Sequence, residues 1–368
     1  MKICFVSPHS FERPGGVRSH ILNLSRELEE MGHTTHILAP GKRGVKTPFN
    51  SNIDNLTEIG YGLTVPVTKT YMEITLFTKD EVQDFFEEND FDIIHFHNFG
   101  PFISTDVLHE TEEIKKVITF HLFPIGLAAK LFNGKNISDF TSIFDYSIFV
   151  SNSQKSLFEK FDKERYSIIP NGIRFDDKVK PRSIEGKRKI SLLFVGRIEP
   201  RKGLDYLVSA YKKARLSSKV ELDLHIVGSG PTDFINKFKE SFGDESSINY
   251  HGTLSDKDLA EMREKTDLYV SPATDGESFG IVLLEAMLTG TPTIAFDIDG
   301  YRSVMTGEFE NCLVENKNVD KLSEKIVEIS NNPKLYHKLS ALGLEHSKLY
   351  DWKKISREIE TIYKKILK

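Results

Sequence analysis

Cysteine and tryptophan are almost missing from this chain. Its 368 residues carry two cysteines, Cys4 and Cys312, and one tryptophan, Trp352. Two thiols so far apart make no disulfide framework, and the lack of any CxxC or Cys/His cluster argues against a zinc module. Cys4 sits in an apolar run and reads as a buried thiol. Long apolar runs are missing too. Nothing approaches the ~18 residues that a membrane-spanning helix needs. The apolar part of MKICFVSPHS is too short for a secretory signal, so a cytoplasmic location is expected, with peripheral attachment to the inner face of the membrane left open. A strong charge of one sign is also absent. Forty-nine basic and 54 acidic residues leave a net charge of -5, which speaks against nucleic acid as the partner.

What is present is a soluble, globular composition, 39% hydrophobic and 28% charged. The length is too great for one ordinary core and predicts two domains. The run KICFVS reads as a strand buried on both faces, and VRSHILNLSRELEEM as a helix with Val17, Ile21, Leu24, Leu28 and Met31 on one stripe. Strand-like TTHILAP, DIIHFHN, KKVITFH and YSIFVSN continue an alternation that predicts a parallel sheet wrapped by helices. The charged stretch 176–189 reads as a linker, after which ISLLFVGR, ELDLHIVGSGP, DLYVSPA and TPTIAFD repeat the pattern. The expected fold is therefore α/β, with two doubly wound Rossmann-like domains facing a cleft. One covers 1–175 and the other 187–349. An amphipathic C-terminal helix within 350–368, carrying Trp352, Ile355, Ile359, Ile362 and Ile366 on one face, is expected to pack back on the first. An anionic membrane surface is the alternative for that helix.

In open parallel sheets, ligands bind beyond the carboxyl ends of the strands, and candidates cluster there. After the strand ending at Val195 come Arg197, Arg201, Lys202 and Gly203, then a helix. Cations beside a helix start suit a diphosphate. The segment ESFGIVLLEAM, 277–287, places Glu277 just before a helix and Glu285 inside it, with Gly280 allowing close backbone approach. The helix-start N–H groups of Phe279, Gly280, Ile281 and Val282 are donors for phosphate oxygens. Glu277 suits the hydroxyls of a sugar, and Glu285 those of a ribose. Gly15 and Gly16 precede the first helix and offer backbone N–H groups, but the pattern is not GxGxxG and no acid ends the second strand, so a dinucleotide site is rejected. His121 ends a strand at the same edge. His95 and His97 share a strand face without a visible third ligand, so no metal is assigned.

GGVRSHI, TFH, PNGI, GRIEPRKG, GSGP and ESFGIVLLEAM, in that order, resemble the GT-B retaining glycosyltransferases of family 4 over nearly the whole chain. Within that family the sequence is most similar to the phosphatidylinositol mannosyltransferases. The resemblance implies a hexosyltransferase that takes a nucleotide-diphosphate sugar, GDP-mannose by closest likeness, and passes the hexose with retention to a glycan or glycolipid hydroxyl. No cofactor or metal is required. It implies that Arg197 and Lys202 neutralise the diphosphate, Glu277 holds the sugar and Glu285 the ribose. The backbone of Phe279, Gly280 and Ile281 completes donor binding, while Gly16 approaches the diphosphate. His121 meets sugar or acceptor, Arg18 the acceptor, and the backbone at Thr253 and Leu254 the base. Three departures bear on the acceptor. Arg18 stands where the mannosyltransferases tend to have a smaller polar residue. VPVTKTYMEI, read as a loop, lacks a Tyr-Asn-Gly pattern for inositol, and the helix TKDEVQDFFEEN is acidic where the lipid enzymes are basic. The apolar stretch 120–132 is the alternative lipid contact. A UDP-sugar transferase of the same fold, an epimerase and a non-catalytic binder are the rival readings.

Overall fold

In the computed structural model the described residues are 1–12, 15–41, 47, 50–67, 70–76, 78–99, 103–121, 143–156, 165–243 and 245–368. The chain divides into two compact units, Met1–Gly172 with Trp352–Lys368, and Ile173–Asp351.

The first unit holds β1 (Lys2–Val6), β2 (Thr34–Pro40), β3 (Leu56–Ile59), β6 (Ile93–His97), β7 (Lys115–Phe120), β8 (Tyr146–Phe149) and β9 (Tyr166–Ile168) in one sheet of order β3-β2-β1-β6-β7-β8-β9. Every neighbouring pair is parallel. The order reverses direction between β1 and β6, the arrangement of a doubly wound sheet. Ile3, Phe5, Ile37 and Ile93 are fully buried beneath Ile21, Leu24 and Leu28 of the first helix, Gly16–Glu30. The C-terminal helix, Trp352–Ile366, completes that core with Trp352, Ile355, Ile359, Ile362 and Tyr363. Gly172 is required here, since a Cβ on it would stand 2.4 Å from the Trp352 ring.

The described residues of VPVTKTYMEI, 65–67 and 70–74, are strand rather than loop. β4 (Tyr61–Val67) and β5 (Thr70–Leu76) pair antiparallel as a separate hairpin. The acidic segment after it is helical at Lys79–Glu88. Beyond Phe120 and His121, the apolar stretch 120–132 lies outside the described residues.

The second unit orders β10 (Lys189–Val195), β11 (Glu221–Val227), β12 (Ile248–Gly252), β13 (Leu268–Ser271), β14 (Thr293–Phe296) and β15 (Leu313–Val314) as β12-β11-β10-β13-β14-β15, again all parallel. Its switch point lies between β10 and β13. The charged 176–189 stretch is tied into this unit rather than spanning freely. The Arg182 amide donates to Ser340 Oγ at 2.7 Å, and its guanidinium to Thr291 Oγ1 at 2.8 Å. Buried Asp267 accepts from Lys187 Nζ at 2.5 Å and from the Ser191 amide at 3.1 Å. Cys4 and Cys312 are both free and buried. Among the described residues no helix is long and apolar enough to cross a membrane.

Candidate active site

The carboxyl ends of β10 and β13 lie side by side, and both charged segments leave from them. After β10 the chain makes a tight turn at Pro200–Lys202, with Pro200 presetting its first residue. Gly203 ends it at φ 70°, and a Cβ there would lie 1.9 Å from the Pro272 carbonyl oxygen. That close approach presses the turn onto the exit of β13, where the Thr274 amide donates to the Arg201 carbonyl at 2.8 Å. The loop from β13 then carries Glu277 past Gly300, where a Cβ would meet the Glu277 carbonyl oxygen at 1.8 Å. It enters the Ile281–Leu288 helix through Gly280.

Glu277 is gripped rather than open. Lys202 Nζ lies 2.5 Å and Arg201 Nη1 2.9 Å from the same oxygen, Oε1. Arg201 also reaches Glu199 Oε1 with Nη2 at 2.6 Å, and Arg197 Nε stands 3.9 Å from Glu199 Oε2. Glu199 is buried, whereas the Arg197 side chain is 49% exposed. Three cations thus face two carboxylates, a smaller positive excess than the sequence implies, and Arg197 is the cation with most solvent contact among them. Burial pushes the Glu277 carboxyl up, but attraction to Lys202 and Arg201 and their hydrogen bonds outweigh it and hold the group below its usual 4.5. Glu277 is therefore ionised.

Glu285 behaves oppositely. It lies further along the same helix, in close contact with Arg263 Nη2. Burial pushes its carboxyl above 4.5, with Arg263 pulling it down. Two acids on one segment are thereby given different proton affinities, a pattern typical of functional sites. Phe279 is core, with its ring against Tyr350 at 5.8 Å, so only its backbone is offered. Ile281 is the first residue of the helix, and Leu254 is half-buried just after edge strand β12.

The first unit gathers imidazoles at the ends of β6 and β7. The buried His121 amide donates to Asn98 Oδ1 at 2.7 Å, and its Nε2 shares a proton with His97 Nδ1 at 3.0 Å. His20, on the first helix, meets His121 edge-on at 4.4 Å and donates from Nδ1 to Asn171 Oδ1 at 2.9 Å. His95 is spent on Tyr363 Oη at 2.6 Å and Thr119 Oγ1 at 2.7 Å. Burial lowers all four imidazoles, His20 to about 3, so the row is neutral and offers hydrogen bonds rather than charge. Nitrogens of His20, His97 and His121 lie within 4.8 Å of one another. The third imidazole that the sequence reading did not find beside His97 is thus His20, and His95 is not part of the trio. Gly15 and Gly16 open the first helix, and a Cβ on either would meet nothing within 4 Å, so packing among the described residues does not demand glycine there. Arg18 is half-buried, with its guanidinium 5.8 Å from the Phe11 ring.

Of the residues singled out by sequence, Arg197, Lys202, Glu277, Phe279, Gly280 and Ile281 converge on the second unit's switch point. Glu285 lies deeper on the helix and Leu254 beside another strand. His121, Gly15, Gly16 and Arg18 belong to the first unit. Sequence reasoning missed Glu199, Arg263 and His20, and it treated Arg201 only as a spare cation. The spacing of Glu199 and Arg201 across a Pro was the one available signal.

Residues 14–177 match a family model described as "Glycosyltransferase Family 4", and 175–345 match one described as "Glycosyl transferases group 1". A phosphatidyl-myo-inositol mannosyltransferase of Mycolicibacterium smegmatis is 29% identical, covering 100% of this chain and 94% of the relative. A glycosyltransferase structure from Rickettsia africae shares the fold with a TM-score of 0.75 at 20% identity, covering 100% of this chain and 98% of that one. So does Anabaena HepE, solved in complex with UDP and glucose, with a TM-score of 0.75 at 16% identity over 99% and 100%. This chain belongs to the group 1, family 4 glycosyltransferases and has their GT-B fold.

Proposed function

We propose that the enzyme moves a hexose, mannose in the first reading, from a nucleotide-diphosphate sugar, GDP-mannose in the first reading, to a hydroxyl of a lipid-linked or other glycan acceptor. The carrying observation is Glu277, held ionised between Lys202 and Arg201 at a strand end, beside Gly280 and a helix start without a side-chain cap. The likeness to the Mycolicibacterium mannosyltransferase supports the sugar and the lipid acceptor.

Transfer breaks the bond from the anomeric carbon to the diphosphate oxygen, and the electron pair leaves with the diphosphate. Arg197, Lys202 and the helix-start N–H groups at Phe279–Ile281 stabilise that charge. These cations take the place of a divalent metal. The acceptor oxygen bonds to the carbon on the same face, its proton passes to the departing phosphate oxygen, and configuration is retained. Glu277 accepts hydrogen bonds from sugar hydroxyls and Glu285 from the ribose. Gly15 and Gly16 contribute backbone donors to the diphosphate, His121 and Arg18 serve the sugar or acceptor, and backbone near Leu254 meets the base. The acceptor places the working enzyme peripherally at a membrane surface.

The test incubates the enzyme in EDTA with GDP-mannose, UDP-glucose or UDP-N-acetylglucosamine, with and without phosphatidylinositol vesicles. Vesicle-stimulated GDP release with an α-linked product is expected, and binding of all three donors without turnover would defeat the reading. A UDP-sugar donor is the second reading, favoured by the fold likeness to the Anabaena protein solved with UDP and glucose.

A further inference from the structure

We propose that Glu199 and Arg201 are positioning residues for Glu277, a largely enclosed pair that reserves one cation for the sugar-side acid while Lys202 turns to the diphosphate. The inference rests on the reading of Glu277 given above.

Two cations share Glu277 Oε1, but they are tethered differently. Lys202 is a point charge on a flexible stem, with Glu277 as its ion-pair partner at 2.5 Å. Arg201 is fixed on several sides. Nη1 donates to Glu277 Oε1 at 2.9 Å and to the Gly276 carbonyl at 3.3 Å, Nη2 lies 2.6 Å from Glu199 Oε1, and its own carbonyl accepts from Thr274. Its guanidinium also packs against Gly276, where an added Cβ would lie 3.3 Å from it. The Glu199 side chain is 4% exposed and that of Arg201 21%.

An arriving diphosphate carries enough charge to draw Lys202 from Glu277. A carboxylate abandoned in this confined place would take up a proton or swing aside. Arg201 prevents both, provided that it does not also turn to the diphosphate. Glu199 supplies that restraint by compensating the guanidinium from behind. The alternating row Glu199–Arg201–Glu277–Lys202 therefore divides the labour, with the outer lysine for the leaving group and the inner arginine for the acid. Glu277 Oε2, which has no hydrogen-bond partner among the described residues, is then the oxygen left for sugar hydroxyls.

The charged groups acting on Glu277 are Lys202 and Arg201. Tyr269 and Tyr301 also feel it, as phenols pushed up chiefly by burial, and neither titrates below neutrality. Glu285 is the other acid of the segment, and its contribution is separated with Glu285→Gln.

The test compares Glu199→Gln and Arg201→Lys with the wild type and with Glu277→Gln, in full-length enzyme with GDP-mannose as donor and GDP titrated by calorimetry. Loss of positioning predicts that both variants bind GDP as tightly as the wild type or tighter, while kcat falls about 10²-fold, as expected for a misplacement on the order of 1 Å. The acid limb of kcat also moves to higher pH, because Glu277 loses the hydrogen-bonded guanidinium that helps hold its carboxyl down. Wild-type kcat and acid limb in both variants, with Glu277→Gln inactive, overturn the positioning role alone. Weakened GDP binding at unchanged kcat also overturns it, by making Arg201 a diphosphate ligand. Full activity of Glu277→Gln overturns the functional reading and this inference with it. Melting curves verify folding, and Arg201→Lys decides the matter if Glu199→Gln does not fold.

Discussion

Replacing Glu277 by Gln should separate binding from turnover. The carboxylate receives charged donors from Lys202 at 2.5 Å and Arg201 at 2.9 Å, and its side chain is only 15% exposed. Breaking such a pair by neutralising one member costs about 3–5 kcal/mol when fully buried, and the residual exposure places this case near the lower figure, ~3 kcal/mol. For a domain of this size each kcal/mol lowers the melting midpoint by roughly 2–4 °C, so a drop of about 6–12 °C is expected for the ligand-free enzyme. The variant also frees Lys202 and removes a negative charge, so GDP should bind at least as tightly and restore more of the lost midpoint than it adds to the wild type. Turnover should fall by about 10²-fold or more, since nothing ionised remains to hold the sugar. The assay pairs thermal melting, with and without GDP, with GDP release from GDP-mannose. Unchanged turnover, or GDP affinity falling in step with turnover, would show that Glu277 does not hold the sugar apart from the diphosphate.

Glu285→Gln should weaken GDP by ten- to a hundredfold, equivalent to a lost charged hydrogen bond of about 1.5–3 kcal/mol, and leave inorganic pyrophosphate binding unchanged. Equal weakening of both ligands in calorimetry would remove Glu285 from the ribose. The buried imidazoles predict acid lability. With His20 lowered to about 3 when folded, against 6.5 for an unperturbed imidazole, the unfolded chain binds the proton first as pH falls. Stability is therefore full above about pH 6.5 and is lost progressively toward pH 3, at up to ~1.4 kcal/mol per pH unit for each such histidine. A melting midpoint that stays flat between pH 7 and pH 5 contradicts a neutral, dry row. Gly203→Ala places a Cβ 1.9 Å from the Pro272 carbonyl at φ 70°. The turn carrying Lys202 must shift, and both the midpoint and GDP affinity should drop in melting and calorimetry, whereas an unperturbed GDP affinity would show that the turn is not the diphosphate site.

The sheet architecture was legible because strands buried on both faces leave unbroken apolar runs such as KICFVS and SLLFV, and both became central strands. The Ile281–Leu288 helix could be bounded from Gly280 and Gly290, the former at φ 95°, a conformation that glycine adopts without strain. The antiparallel pairing of 61–67 with 70–76 was hidden because its sole local signal was apolar alternation without an Asn-Gly or Asp-Gly between the runs. Within the site, the charges themselves could be read from sequence, but their pairing could not. Arg201 and Glu277 are 76 positions apart, and only the β10–β13 adjacency brings them together. His20 was masked by its helix, where Ile21 and Leu24 define the apolar stripe and a histidine reads as a bystander. The contact of Tyr363 with His95 spans 268 positions and was equally invisible.

The mechanism requires that the turn after β10 hold the diphosphate. Calorimetric titration of GDP into an Arg197→Gln/Lys202→Gln double variant, folded by its melting curve, tests this most directly. Loss of two charged contacts predicts weakening of about 10²-fold or more and a shallower salt dependence. Wild-type affinity in the double variant would contradict it.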